Sequence, residues 1–168
     1  MRMIRNADAG DALSISRLFA STWRRAYRGI IAQHYLDRLP EEYWVPSLRA
    51  WLGDGRFSAL IAEEDGRAVG AVVFGRGRDE GHDSWGEIVS LYILPEASGK
   101  GHGAALLGRA MAEMRQDGYR RFYLWAIEGN DAADVFYRKH GFHRTGDRVA
   151  YQIGGEQVRD IRYVLVDA

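Results

Sequence analysis

The stretch Leu91-Tyr92-Ile93-Leu94-Pro95-Glu96-Ala97-Ser98-Gly99-Lys100-Gly101-His102-Gly103-Ala104 joins the end of an apolar strand to a glycine-rich turn. A helical stripe of apolar residues follows at once, formed by Leu106, Leu107, Ala110, Met111 and Met114. Glycines without a Cβ let the backbone approach a ligand closely. The first turn of the following helix exposes N–H groups and the positive end of the helix dipole. The stretch therefore predicts a strand–turn–helix unit with an anion site.

Other interpretations of this turn are weaker. An ATP-binding P-loop needs Gly-Lys-Ser/Thr, whereas Gly103 is followed by Ala104-Ala105. The dinucleotide fingerprint Gly-x-Gly-x-x-Gly is also incomplete, because this turn has the spacing Gly-x-Gly-x-Gly. From the turn alone, a purely structural strand-to-helix connection stays an almost equal alternative.

The rest of the chain alternates between strand and helix patterns. Alternating or apolar runs predict strands at about 3–7, 57–63, 67–74, 85–94, 121–127, 142–152 and 156–166. Helical spacing predicts helices at about 8–29, 31–52 with breaks at Pro40 and Pro46, 104–118 and 130–141. This order predicts a single α+β (mixed α/β) domain over residues 1–168, with a mostly antiparallel sheet of about six to seven strands.

Composition narrows the function classes. The chain has 23 basic and 23 acidic residues, so no basic excess indicates a nucleic-acid or membrane partner. It has no cysteine, which excludes a thiolate nucleophile and any Cys-based zinc site. The five histidines show no ligand spacing, so no metal is expected. We expect a cytoplasmic protein, since there is no secretory h-region at the N-terminus.

The motif Leu91-Tyr92-Ile93-Leu94-Pro95 followed by Ser98-Gly99-Lys100-Gly101-His102-Gly103 resembles the acyl-CoA signature of the GNAT superfamily of N-acetyltransferases. The likeness covers nearly the whole chain and includes Ile4–Ala7, Trp23–Gly29, Leu124–Ala126, Gly129-Asn130, Phe136-Tyr137 and Gly141-Phe142. The signature usually begins with Arg or Gln, and Ser98 stands at that position here. The resemblance implies the GNAT-like fold and acetyl-CoA as co-substrate.

The resemblance also implies which residues bind the donor. Leu91 and Ile93 would lie beside the pantetheine arm, and Asn130 would hold a pantetheine amide. The pyrophosphate would be cradled by Gly99, Lys100, Gly101, His102, Gly103 and Ala104. Asn130 also has a simpler interpretation as a helix N-cap, worth about 1 kcal/mol without any ligand, and the two roles are compatible.

Two residues are candidates for the proton transfers. Tyr137 would protonate the departing thiolate as a general acid, although its spacing also suits a core aromatic. Glu87, at the start of a strand, would accept the proton of the amine, with a solvated carboxylate as an equal alternative. Such help matters because an amine with a lysine-like pKa is mostly protonated at pH 7, a penalty of roughly 4.6 kcal/mol.

The sequence thus predicts direct acetyl transfer from acetyl-CoA to a primary amine in a ternary complex. A non-catalytic acyl-CoA sensor on the same fold and an enzyme that binds NAD or ATP are the alternatives. Trp23, Tyr27 and Tyr43 are either core residues or the walls of an acceptor pocket that holds an ammonium group. The acceptor is a small-molecule or peptide amine, and a homodimer is possible because relatives often dimerise.

Overall fold

The computed structural model describes all 168 residues and places seven strands in one sheet with the order β1-β2-β3-β4-β5-β7-β6. The strands are β1 Arg2–Asn6, β2 Phe57–Glu64, β3 Arg67–Arg76, β4 Gly86–Ile93, β5 Arg121–Ile127, β6 His143–Ile153 and β7 Glu156–Val166. Every neighbouring pair is antiparallel except β4 and β5. The prediction of a mixed α+β fold on a mostly antiparallel sheet is confirmed.

Five α-helices connect the strands: α1 Ala12–Ala26, α2 Gln33–Arg38, α3 Val45–Asp54, α4 His102–Gln116 and α5 Asp131–Lys139. The predicted break at Pro46 is wrong, because Pro46 lies in the first turn of α3. A proline is well tolerated there, since the first N–H groups of a helix have no intrahelical acceptor. None of the helices combines the length and the apolar character that crossing a bilayer requires.

The sheet opens between its two parallel strands. Pairing of β4 with β5 covers only Gly86–Ile88 and Phe122–Leu124, and both strands continue beyond it without contact in the ladder. A bulge at Val89 adds to the divergence, because Ser90 and Ile88 pair with consecutive residues of β3. The backbone of the second half of β4 therefore faces a wedge-shaped gap.

Helices cover both faces of this gap. Phe19 of α1 packs edge-on against Tyr92, with ring centroids 5.1 Å apart. The next residue, Ile93, points to the opposite face of the sheet. On that face the side chains of Ile93 and of Leu106 from α4 both lie close to Gly70 of β3. Helices α4 and α5 thus lie on one face of the gap, and α1 lies on the other.

Candidate active site

The gap between β4 and β5 widens into a cleft of about 660 Å³. Most of the predicted site residues line it: Leu91, Ile93, Gly99, Gly101, His102, Gly103, Ala104, Asn130 and Tyr137. The fold therefore gathers residues from β4, the glycine turn, α4 and α5 around one cavity. Glu87 and the side chain of Lys100 do not belong to this lining.

The glycine turn presents a row of backbone donors at one end of the cleft. Gly99 and Gly101 have φ angles of +76° and +89°, a left-handed conformation that is inexpensive only for glycine. Gly101 is the N-cap of α4. None of the amide N–H groups of residues 99–104 donates a hydrogen bond within the protein. These donors, at the positive end of the helix dipole, suit an anionic ligand.

Gly103 sits where α4 and α5 come close together. A Cβ at this position would lie 3.2 Å from Cε1 of Phe136, which also lines the cleft. A side chain here would push against the aromatic ring and fill the space beside the amides. Gly103 therefore keeps the cradle open.

The side chains of Lys100 and His102 both lie beside Glu64. Lys100 Nζ lies 3.3 Å from Glu64 Oε1, and its carbonyl oxygen accepts a hydrogen bond from Arg2. His102 is buried, with Nε2 3.2 Å from Glu64 Oε2. Because its side chain is paired with Glu64, Lys100 offers the predicted pyrophosphate cradle its backbone N–H group and not its ammonium group.

Asn130 combines both of its expected features. Its Oδ1 accepts a hydrogen bond of 3.2 Å from the N–H group of Ala133, which confirms the N-cap of α5. The same side chain lines the cleft, where its amide NH₂ group donates no hydrogen bond to the protein. An Asn130 that caps the helix can thus still donate to a ligand amide.

Tyr137 brings a hydroxyl group to the cleft. Its side chain is 7% exposed, and its ring packs against Phe136, Phe142 and Tyr163. The hydroxyl group has no hydrogen-bond partner within the protein, although the rest of the side chain is enclosed. Burial raises the pKa of Tyr137 well above its usual value, so the phenol keeps its proton at neutral pH. Such a group can donate a proton but does not act as a resident base.

The family profile for the acetyltransferase (GNAT) family matches residues 19–142 of the 168. The chain belongs to the GNAT family. It is similar to YuaI, an uncharacterized N-acetyltransferase of Bacillus subtilis, with 28% identity over 96% of this chain and 91% of that protein. It is also 35% identical to an uncharacterized N-acetyltransferase of Mycobacterium tuberculosis, over 69% of this chain and 70% of the relative.

Solved acetyltransferase structures share the fold. The PaiA N-acetyltransferase of Thermoplasma acidophilum, solved with coenzyme A, superposes with a TM-score of 0.77 at 20% identity over 99% of both chains. YncA of Salmonella typhimurium, solved with acetyl-CoA, gives a TM-score of 0.74 at 23% identity over 98% of this chain and 93% of that one. At these identities the likeness establishes the architecture, which agrees with the sheet described above.

Glu87 is held in an ion pair outside the cleft of this GNAT protein. Its side chain is 1% exposed, and Arg78 donates to it from Nη2 at 2.7 Å, from Nε at 3.1 Å and from the backbone N–H at 3.0 Å. The hydroxyl group of Tyr123 donates a further hydrogen bond at 3.0 Å. The alternative of a solvated carboxylate is wrong. The prediction of a general base gains no support from these contacts and stays a prediction.

Aromatic side chains close the cleft on the side of α1. The hydroxyl groups of Tyr27 and Tyr92 are 3.0 Å apart, and both residues line the cleft. Trp23 packs against Tyr27 without reaching the lining, and Tyr43 is 55% exposed and contacts Trp44. Of the three aromatic residues predicted to form the wall, only Tyr27 lies there.

Sequence reasoning missed several lining residues. Tyr92 lies between Leu91 and Ile93, and strand alternation alone would have placed it on the face opposite to theirs. Lys139 and His140 also line the cleft, at the end of α5. Their positions two and three residues after Tyr137 were a weaker signal, because Lys139 could equally have faced solvent.

Proposed function

We propose that residues 1–168 form one N-acetyltransferase domain that moves an acetyl group from acetyl-CoA directly to a primary amine in a ternary complex. The observation that carries the proposal is the arrangement along one cleft. The unpaired amides of residues 99–104 lie at one end, and the free hydroxyl group of Tyr137 lies within. Relatives named as N-acetyltransferases support the nitrogen as acceptor atom.

The residues present fit coenzyme A. Several backbone N–H groups can share the negative charge of a diphosphate, and hydrogen bonds to charged groups are worth about 1.5–3 kcal/mol each. The second half of β4, which includes Leu91 and Ile93, has no partner on the side of β5. An extended pantetheine arm can hydrogen bond to that edge as an added strand would. Asn130 can donate from its free amide NH₂ group.

Acetyl-CoA supplies the acetyl group as an activated thioester. The amine nitrogen forms the new bond to the carbonyl carbon, and the bond between that carbon and sulfur breaks. Tyr137 donates its hydroxyl proton to the leaving sulfur, and the proton that the acylated nitrogen loses passes through solvent to restore the Tyr137 hydroxyl group. A neutral amine and the thioester thus give an amide and a free thiol. Tyr137 is protonated at neutral pH, as any tyrosine with an ordinary or raised pKa is, and therefore has a proton to give when the thiolate forms.

Titration calorimetry with acetyl-CoA, followed by thiol release with a panel of amines, tests the proposal. Saturable binding with amine-dependent release of coenzyme A is expected. Binding without transfer to any amine would favour a sensor on the same fold. No saturable heat at millimolar acetyl-CoA would reject both the enzyme and the sensor.

A further inference from the structure

A second cavity borders the cleft on the side of α1. This groove has a volume of about 550 Å³ and shares Trp125 with the cleft as a common wall. Asp160 of β7 lines the groove and stands opposite Ile127 of β5, one alternation beyond Trp125. The groove therefore adjoins the cleft at Trp125.

The carboxylate of Asp160 is only half satisfied. Tyr151 donates a hydrogen bond of 2.9 Å to Oδ1, while Oδ2 accepts none within the protein. No arginine, lysine or histidine forms an ion pair with it, unlike the carboxylates of Asp79 and Asp147 in the same groove. Burial raises the pKa of Asp160, which the hydrogen bond from Tyr151 only partly opposes. A cation at Oδ2 would offset this loss of solvation.

The groove as a whole is negative. It contains the carboxylates of Asp79, Glu80, Asp147 and Asp160 and the guanidinium groups of Arg148 and Arg162. Arg162 is occupied by Asp79 and Asp147, at 3.2 Å each, and Arg148 lies 3.6 Å from Glu128. Two negative charges remain in excess, so the groove attracts cationic molecules.

Asp160 lies beyond the reacting centre rather than in it. Besides burial, its negative charge raises the pKa of Tyr27 and of Tyr92, whose hydroxyl groups meet at the cleft. Tyr27, Tyr92 and Tyr137 all line the cleft, whereas Asp160 lines only the groove.

We propose that this groove binds the non-reacting end of a cationic acceptor, with an ammonium group held at Oδ2 of Asp160 while the other amine reaches Tyr137. The substrate class is an aliphatic amine that carries a second positive charge, such as a diamine. The inference rests on the proposed function, because it names the acceptor of the same reaction. The hydroxyl of Tyr151 orients the carboxylate, and Trp125, whose ring carries Arg162 at 4.5 Å, is the wall that the groove shares with the cleft.

The test compares putrescine and cadaverine with the amino alcohols of the same chain lengths. The wild-type protein is expected to show a higher kcat/KM for a diamine than for its amino alcohol. Asp160→Asn should lower that preference about 30-fold, since truncating one partner of a hydrogen-bonded charge pair costs about 2 kcal/mol or more. The loss should appear in the KM for the diamine.

Glu80→Gln is the matched control, because it removes one negative charge from the same groove and leaves Asp160 untouched. It should change the preference less than about threefold, as expected for an unpaired surface charge. If both variants lost the preference for the diamine equally, the groove would act only by its total negative charge, and the proposal of a specific site at Asp160 would be overturned.

Calorimetry with acetyl-CoA separates the two proposals. If every variant binds acetyl-CoA as the wild type does, the variants are folded and the donor site stands. A wild type that binds acetyl-CoA but prefers the amino alcohols, or acetylates neither amine, would overturn the inference and leave the donor site intact. Absence of acetyl-CoA binding would reject the proposed function itself.

Discussion

The two ends of the cleft are built in different ways. At the proposed donor end, the groups available for binding are consecutive backbone amides at residues 99–104 and one edge of β4. At the proposed acceptor end they are side chains of Tyr27, Tyr92, Tyr151 and Asp160, which lie on separate elements. A donor common to a family can be held by backbone geometry, whereas an acceptor is selected by side chains that change independently.

This difference sets how each end can be disrupted. Substitutions other than proline leave the backbone N–H groups in place, so such changes affect the donor end mainly where a new side chain would block it. Side chains at the acceptor end can be changed one at a time. Tyr137 lines the same cleft, and the proposed mechanism puts the reaction between donor and acceptor at its hydroxyl group.

Replacing Tyr137 by Phe is expected to have the largest effect. Loss of a general acid costs about 100-fold or more in turnover, while the ring that packs on Phe136 and Phe142 is retained. Stopped-flow or steady-state thiol release should show a lower kcat, and calorimetry should show nearly unchanged affinity for acetyl-CoA.

Tyr163→Phe provides the control for that variant. Tyr163 packs beside Tyr137, but its hydroxyl group donates to Asp134 at 2.7 Å and does not line the cleft. Its kcat should stay within about threefold of the wild type, as usual for a group outside the reacting centre. If Tyr137→Phe weakened acetyl-CoA binding as much as it lowered kcat, Tyr137 would be a binding residue instead.

A valine at Gly103 should weaken the donor end specifically. The new side chain would press on Phe136 and obstruct the amides beside it. Loss of about one charged hydrogen bond corresponds to roughly tenfold weaker binding. The dissociation constant of acetyl-CoA by calorimetry measures the effect.

Gly108→Ala is the matched control on the same helix, since a Cβ there meets nothing within 4 Å. It should leave donor affinity unchanged and raise stability by about 0.5–1 kcal/mol, the usual gain of Ala over Gly within a helix. Equal affinity of the Gly103→Val variant and the wild type would place the diphosphate elsewhere.

The donor end could be predicted because its signal is local. Glycine spacing, the preceding strand and the apolar stripe of α4 all lie between Leu91 and Met114. Asp160 could not be found in this way, since its position depends on the pairing of β7 with β5 across more than thirty residues. Glu87 shows the same limit: its partner Arg78 lies across a loop whose path the sequence pattern does not reveal.

Substituting Gln for Glu87 should affect stability more than chemistry. The change leaves Arg78 without its ionic partner next to a buried amide. Breaking a fully buried pair costs about 3–5 kcal/mol, but the Arg78 side chain is 37% exposed, so about 1–2 kcal/mol is expected after solvent screening.

Urea unfolding and a pH–rate profile distinguish the two roles of Glu87. A lower midpoint of unfolding with an unchanged profile agrees with the ion pair. Asp167→Asn is the control, because it breaks the more exposed ion pair between Asp167 and Arg115. It should lower the free energy of unfolding by less than Glu87→Gln does. Unaltered stability with a lost acidic limb in the profile would instead restore Glu87 as the base, because a carboxylate base loses activity when it is protonated at low pH.

The smallest expected effect concerns Ser98, which replaces the Arg or Gln usual in the acyl-CoA signature of GNAT proteins. Ser98 lines the cleft, and its Oγ makes only a long hydrogen bond of 3.4 Å to the carbonyl of Leu94. Ser98→Arg adds a guanidinium group that suits phosphate oxygens. At this exposed position the new charge should add about 1 kcal/mol to the free energy of acetyl-CoA binding, which corresponds to about fivefold tighter binding. Added salt should reduce this gain in affinity. Ser98→Met adds length without charge and should bind as the wild type does; equal gains in both variants would mean that packing, and not charge, limits the donor end.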